Sequence, residues 1–240
     1  MSAPRSRTRD VATTPHHGGG PARSEFALPL TAPTWRKRPV QGRSRDTVKA
    51  IVQATFQVLD REGAAALTTT RVAEVAGVSV GTLYQYFANR EALIMGLLAD
   101  HLAIAIDAVE AAAAEVRGAP LPDAIAHVIR AFVAVKVARA PVSRALRPAL
   151  AGTDERPLVR TASARGARTI ARLLAGDREP DLAAVRQAEL VCAAIEGVIA
   201  RIIDEDPARL AEPEFLRTLT ALVHGGTAAL ADAPPPPRTA

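Results

Sequence analysis

Residues 68–87 read TTTRVAEVAGVSVGTLYQYF. Ala73 stands midway along a first short helix, where only a small side chain lets a second helix cross closely. Gly77 follows four residues later, at the end of that helix. Glycine there enters the left-handed backbone region without a Cβ penalty, so the chain can turn sharply. Leu83 follows six residues after Gly77 and faces back into the angle between the helices. A small residue, a glycine and a branched apolar residue at this spacing predict two helices joined by a tight turn.

The second helix divides its faces. Leu83 and Phe87 are four apart and should share an inward face. Gly81, Thr82, Gln85 and Tyr86 are assigned to the others. Gly81 lets a backbone approach a phosphate, and Thr82 and Gln85 can hydrogen-bond base edges. Glutamine can pair with adenine N6 and N7 in two contacts. Tyr84 and Tyr86 offer phenolic donors to phosphates. The plainer alternative is an amphipathic helix end whose tyrosines only cover core.

The flanks extend the pattern. Val48, Ile51, Val52, Thr55, Phe56 and Leu59 form one stripe of a preceding helix, which stops at Gly63. After the recognition segment come Asn89, Arg90, Glu91 and Leu93, the start of a long helix. Helix, glycine, threonine cap, AGVS turn, GTLYQYF and NREAL together closely resemble the TetR family of transcriptional repressors. The resemblance is specific over about Ser44 to Leu98. One departure is Arg71, three residues after the Thr68 cap, where the family often has an acidic residue. A cation in a first turn opposes the helix dipole by ~0.3–1 kcal/mol, unless it reaches a phosphate instead.

The resemblance implies that Thr69, Ser79, Val80, Gly81, Thr82, Tyr84, Gln85, Tyr86 and Arg90 face DNA. Thr82 and Gln85 would read bases. Thr69, Tyr84, Tyr86 and Arg90 would hold phosphates. It also implies a homodimer through the last two helices, about residues 182–203 and 214–230, and a small-molecule effector. In the first of these helices Leu190, Ala193, Ala194, Gly197, Val198 and Arg201 make a small-residue face. Phe215, Leu219, Leu222, Val223 and Gly226 are the matching set in the second. Both helices could equally be intrachain core. The pocket candidates are His127, Phe132, Lys136, Arg144, Arg147 and Arg168. A cluster of arginines there would suit an anion.

Length and charge agree. The 240 residues suit one small DNA-reading domain and one larger helical domain. Residues 1–49 carry ten Lys/Arg against Asp10, Glu25 and Asp46, a balance of +7, whereas the remaining chain is −2. The basic excess therefore lies almost wholly ahead of the first helix. Arg36, Lys37, Arg38, Arg43 and Arg45 are candidates for a DNA-facing arm. Residues 1–43 otherwise read as a disordered leader, with His16 and His17 too few to bind a metal. The expected domains are 44–90 for DNA, 91–231 for effector and dimer, and a proline-rich tail at 232–240.

The expected fold is all-α, with about nine helices and no strand. The single cysteine, Cys192, excludes an intrachain disulfide and reads as a small buried hydrophobe. No apolar run is expected to reach the ~18–20 residues that span a membrane, and the N-terminus lacks a signal-peptide core. A cytoplasmic protein follows. The chain shows no phosphate loop, metal-spaced cluster or nucleophile elbow, so no catalytic residue, cofactor or metal ligand is expected. Two other readings remain: an activator of the same fold, and a non-specific architectural DNA-binding protein using the basic leader.

Overall fold

The computed structural model describes residues 42–176 and 178–231. Arg36, Lys37, Arg38, His16, His17 and the tail at 232–240 lie outside them. The described residues form nine α-helices and no strand. These are α1 (Gly42–Glu62), α2 (Thr69–Ala76), α3 (Val80–Tyr86), α4 (Arg90–Glu115), α5 (Leu121–Ala138), α6 (Ala140–Ala149), α7 (Arg156–Ala175), α8 (Leu182–Glu205) and α9 (Pro213–Ala231). Short 3₁₀ turns follow α1 and α8. Helix α1 starts at Gly42, earlier than the expected Asp46. Arg43 and Arg45 are therefore exposed residues of its first turn.

The helix boundaries rest on local chemistry. The side-chain oxygens of Thr68, Ser79, Asn89 and Asp181 accept from backbone N–H groups at the starts of α2, α3, α4 and α8. Each such cap stabilises by ~1 kcal/mol. Helix α2 ends on Gly77 at φ 66°, ψ 30°. The Gly77 N–H donates to the Glu74 carbonyl and the Val78 N–H to the Ala73 carbonyl. This paired closure satisfies the last carbonyls of α2 and aims α3 across it.

Packing is divided between two main cores. The first holds α1, α2, α3, the N-terminal half of α4, and Val142, Leu146 and Ala149 of α6. Helix α6 thus belongs to the core of the N-terminal domain. The second core joins α5, α8 and α9. Helix α4 enters the first core and then runs beside α5 and α7. It is 26 residues long, and an 18-residue stretch of it has a mean hydropathy of 1.8, long and apolar enough to cross a membrane by length and composition. That corrects the expectation that no apolar run approaches this length. Some 72% of the apolar window is buried within the protein, as in a core helix.

Gly96 marks the tightest approach in the first core. A Cβ there would lie 2.6 Å from Cε1 of the fully buried Phe87. Gly96→Ala should gain up to ~1 kcal/mol in helix propensity but cost ~1–3 kcal/mol in overpacking. A lowered melting temperature is expected by circular dichroism. A raised one would show that the Phe87 ring has room to shift.

Candidate nucleic-acid interface and ligand cavity

The turn between α2 and α3 places a set of polar side chains on one outer surface. The Ser79 Oγ accepts from the Thr82 N–H at 3.0 Å and lies 2.8 Å from Thr82 Oγ1. Tyr84 is 42% exposed, and its hydroxyl lies 3.1 Å from Thr69 Oγ1. Thr69 and Tyr84, fifteen residues apart, therefore form one hydroxyl pair bridging α2 and α3. Gly81 and Gln85 are exposed, and Val80 and Thr82 half-buried. A Cβ at Gly81 would meet only the Ser79 hydroxyl, at 3.8 Å. Nothing in the fold itself crowds that face, so its glycine is free to serve a close approach from outside. Arg90 is exposed and donates from Nη2 to the Ala64 carbonyl at 2.9 Å, which steadies it beside the surface.

Tyr86 does not join this surface. It is 8% exposed and packs in the first core beside Leu83 and Phe87. Residues at i, i+3 and i+4 share a helix face, so Tyr86 falls inward with Leu83. The plainer reading of the tyrosines holds for Tyr86 and fails for Tyr84.

Arg71 serves the fold. Its Nε and Nη2 donate to the Glu62 carboxylate at 2.7–3.1 Å, and its Nη1 reaches Glu74 at 2.9 Å. The hydrogen bond from Arg71 holds the Glu62 carboxyl below its usual range. Two carboxylates offset the cation expected to oppose the dipole of α2, and they clamp the end of α1 to α2.

A separate cavity of about 70 Å³, partly open to solvent, lies among α4, α5, α7, α8 and α9. Ile106, Val109, Ile125, Val128, Ile129 and Phe132 wall one side. Ser163, Gly166, Ile170, Leu173, Leu174, Val191, Cys192, Ile195, Glu196 and Val223 complete it. Burial pushes the Cys192 thiol up to about 11, with Glu196 and Glu189 adding to the shift. The thiol is therefore protonated and a poor nucleophile near neutrality.

Of the expected pocket residues, only Phe132 lines this cavity. The others are corrected. His127 sits at the surface, its Nε2 2.9 Å from the Glu115 carboxylate. Arg144 donates from Nε to the Ile203 carbonyl, and Arg147 pairs with Asp204. Both tether α6 to the end of α8. Arg168 is exposed on α7. Long cations on amphipathic helices go to the outer face because burying them unpaired is costly. The anion pocket expected from those arginines does not form.

Sequence reading missed a buried polar cluster between the two cores. The Arg139 Nη2 donates to Asp100 Oδ2 at 2.8 Å, and its Nε to His101 Nδ1 at 3.3 Å. Burial, with Lys136 and Arg139 nearby, lowers the His101 pKa to about 3, so the ring is neutral. With Nδ1 accepting, Nε2 carries the proton and donates to Ser143 Oγ at 3.1 Å. The only sequence signal was Asp100-His101 in the middle of an apolar helix.

The N-terminal geometry is that of a helix-turn-helix DNA-binding protein. Residues 51–96 match the sequence profile of bacterial regulatory proteins of the tetR family. An uncharacterized HTH-type transcriptional regulator of Bacillus subtilis (strain 168), YvkB, is 40% identical over 57 residues, 24% of this chain and 30% of that protein. A second from the same organism, YdeS, is 42% identical over 57 residues, 23% of this chain and 29% of its own length. The aligned region thus spans less than a third of either relative. Whole-fold similarity reaches further. A TetR-family regulator from Streptomyces coelicolor aligns with a TM-score of 0.55 at 20% identity, over 77% of this chain and 99% of that one. A transcriptional regulator from Rhodococcus sp. Rha1 aligns with a TM-score of 0.53 at 25% identity, over 78% and 99%. Residues 51–96 are thus a DNA-binding domain of the tetR-family type, and the fold as a whole is that of TetR-family regulators.

Proposed function

We propose that the protein is a sequence-specific transcriptional regulator that binds double-stranded operator DNA as a homodimer. The observation that carries this is the exposed edge of α3. Gln85 and Tyr84 stand clear of the fold there, with Ser79, Gly81 and Thr82 beside them and Thr69 joined to Tyr84 from α2. Arg43 and Arg45 add cations at the start of α1 for the phosphate backbone. The protein acts where its DNA is, in the cytoplasm.

Dimerisation is supported by α8. Leu190, Ala193, Ala194, Gly197, Val198 and Arg201 are all exposed, as an unpartnered small-residue face would be. On α9 Leu222 is 66% exposed, whereas Phe215, Leu219 and Val223 pack into the second intrachain core. A second copy covering this face would place two recognition helices for half-sites ~34–36 Å apart. Repression, relieved by a small effector in the apolar cavity, is the regulatory sign that the resemblance favours. An operator placed to recruit polymerase would make the same fold an activator.

Fluorescence anisotropy on DNA upstream of the protein's own gene, against a scrambled duplex over a salt series, tests the reading. Preference of ~10³ or more for the operator is expected, with two protomers per site. Gln85→Ala should change which operators bind, whereas Tyr84→Phe should weaken all alike. Equal binding to every duplex, vanishing with salt, would support the architectural alternative instead.

A further inference from the structure

A larger recess lies where α4 and α7 end and α5 begins. This cleft has a volume of about 820 Å³, within the ~300–1,000 Å³ of small-molecule sites. Three arginines line it, all exposed. Arg117 follows the end of α4, Arg172 stands in the last turn of α7, and Arg178 lies in the loop beyond. A cation is favoured at a helix C-terminus, which accounts for Arg117 and Arg172 singly. It does not account for Arg178, nor for three guanidiniums on one recess. Among the described residues, none of the three takes part in an ion pair.

The carboxylates nearby do not cancel this charge. Glu110 lines the cleft, but Arg165 holds it at 2.6 and 2.7 Å, so its charge is already offset. Glu179 is the other carboxylate of the lining. Even with Glu179 and its sequence neighbour Asp177 counted in full, three arginines leave the cleft positive. Among the described lining residues none is aromatic, so no ring stacks on a ligand there and recognition falls to charge. A planar guanidinium matches carboxylate and phosphate oxygens in pairs. Leu173 and Leu174 wall both this cleft and the apolar cavity, yet the cavity's charged lining residue is Glu196. An anion is therefore favoured in the cleft and opposed in the cavity.

We propose that this cleft binds a small polyanion with at least two adjacent carboxylate or phosphate groups, held by Arg117, Arg172 and Arg178. The site is separate from the proposed effector cavity, and its test uses no DNA. Isothermal titration of the full chain with citrate, tripolyphosphate and acetate at fixed ionic strength measures it. Citrate or tripolyphosphate should bind at least about tenfold more tightly than acetate, since each added charge-assisted contact contributes roughly tenfold. The first two probes tell a polycarboxylate from a polyphosphate.

The basic leader also attracts polyanions, so substitutions locate the site. Arg172→Gln and Arg178→Gln should each weaken binding about tenfold. Glu179→Gln should tighten it, by up to roughly fivefold, because one like charge is removed. Arg160→Gln, exposed on α7 outside the cleft, should change nothing. All four side chains are exposed, so far-UV circular dichroism should stay the same. Equal affinities for the three probes would overturn the proposal. So would equal losses in Arg160→Gln and Arg172→Gln. Affinity unaltered when Arg172→Gln and Arg178→Gln are combined would put the polyanion on the leader instead, and would overturn it as well.

Discussion

Gly197→Arg is expected to leave a folded monomer that no longer binds its operator specifically. Gly197 lies in the exposed face of α8, and a Cβ built on it meets nothing within 4 Å. The substitution thus costs the single chain nothing in packing. Arginine is also the better helix former, by up to ~1 kcal/mol. On the same helix face Leu190 is 72% exposed and Val198 45%, large values for such side chains, and Leu222 of α9 is 66% exposed. Exposed large apolar side chains on one helix face favour an association site there. In a two-fold interface the residue occurs twice, facing its own symmetry mate or that mate's neighbours. Two arginines would then separate helices that approach closely through alanine and glycine, and would repel each other. Light scattering should report a single-chain mass with unchanged far-UV circular dichroism. Operator affinity should fall by ~10³ or more, to the non-specific level. A variant that remains dimeric on its operator would place the interface elsewhere.

The fold was legible where its determinants are local. Thr68, Ser79 and Asn89 cap the helices they precede, and Gly77 closes α2, so the DNA-reading segment could be placed almost residue by residue. The small-residue face of α8 was legible from its helical spacing, but that it is exposed rather than intrachain core came from the structure. Three expectations failed, one on a local spacing and two on contacts distant in sequence. Tyr86 carries a polar tip on a large apolar body, and its motif position outweighed the i+3 spacing from Leu83 that sends it inward. Arg144 and Arg147 looked like pocket cations because sequence does not show that α8 ends within their reach, nearly sixty residues on. Phe215, Leu219 and Val223 could have faced either a second chain or α5 and α8, and periodicity is the same for both. The cavity's apolar wall draws on five helices, so no local stretch announces it.

Arg139→Met is expected to destabilise the protein by ~3–5 kcal/mol, the cost of leaving a buried charge without its partner. Arg139 is 2% exposed and Asp100 fully buried. The pair stands where α5 gives way to α6, so it links the core containing α5 with the one into which α6 packs. Burial pushes the Asp100 carboxyl up to about 7 in the intact fold, while Arg139 and, more weakly, Lys49 pull it back. His101, the adjacent titratable group, is neutral and adds no charge to offset. Without Arg139 the main downward pull is gone, and the carboxyl rises further. A carboxyl with a raised folded-state pKa contributes stability that is full below its unfolded pKa, near 3.8, and is lost as pH rises toward the folded value. The variant's deficit relative to wild type should therefore stay level up to about pH 7, because the carboxyl is protonated in both folded proteins there. Above that it should grow by up to ~1.4 kcal/mol per pH unit. Denaturant titration of both proteins at several pH values measures it. Adding Asp100→Asn to Arg139→Met should remove this pH dependence and recover much of the stability, because no charge is then left buried. A deficit that is flat with pH, or unrelieved in the double variant, would show that Arg139 stabilises by packing alone. Under the proposed function, in which an effector in the cavity releases operator, the same pair would have a functional readout. If α5 moves α6 through this contact, the double variant should fold and bind operator yet respond weakly to ligand. A normal response would place the coupling in α4 alone.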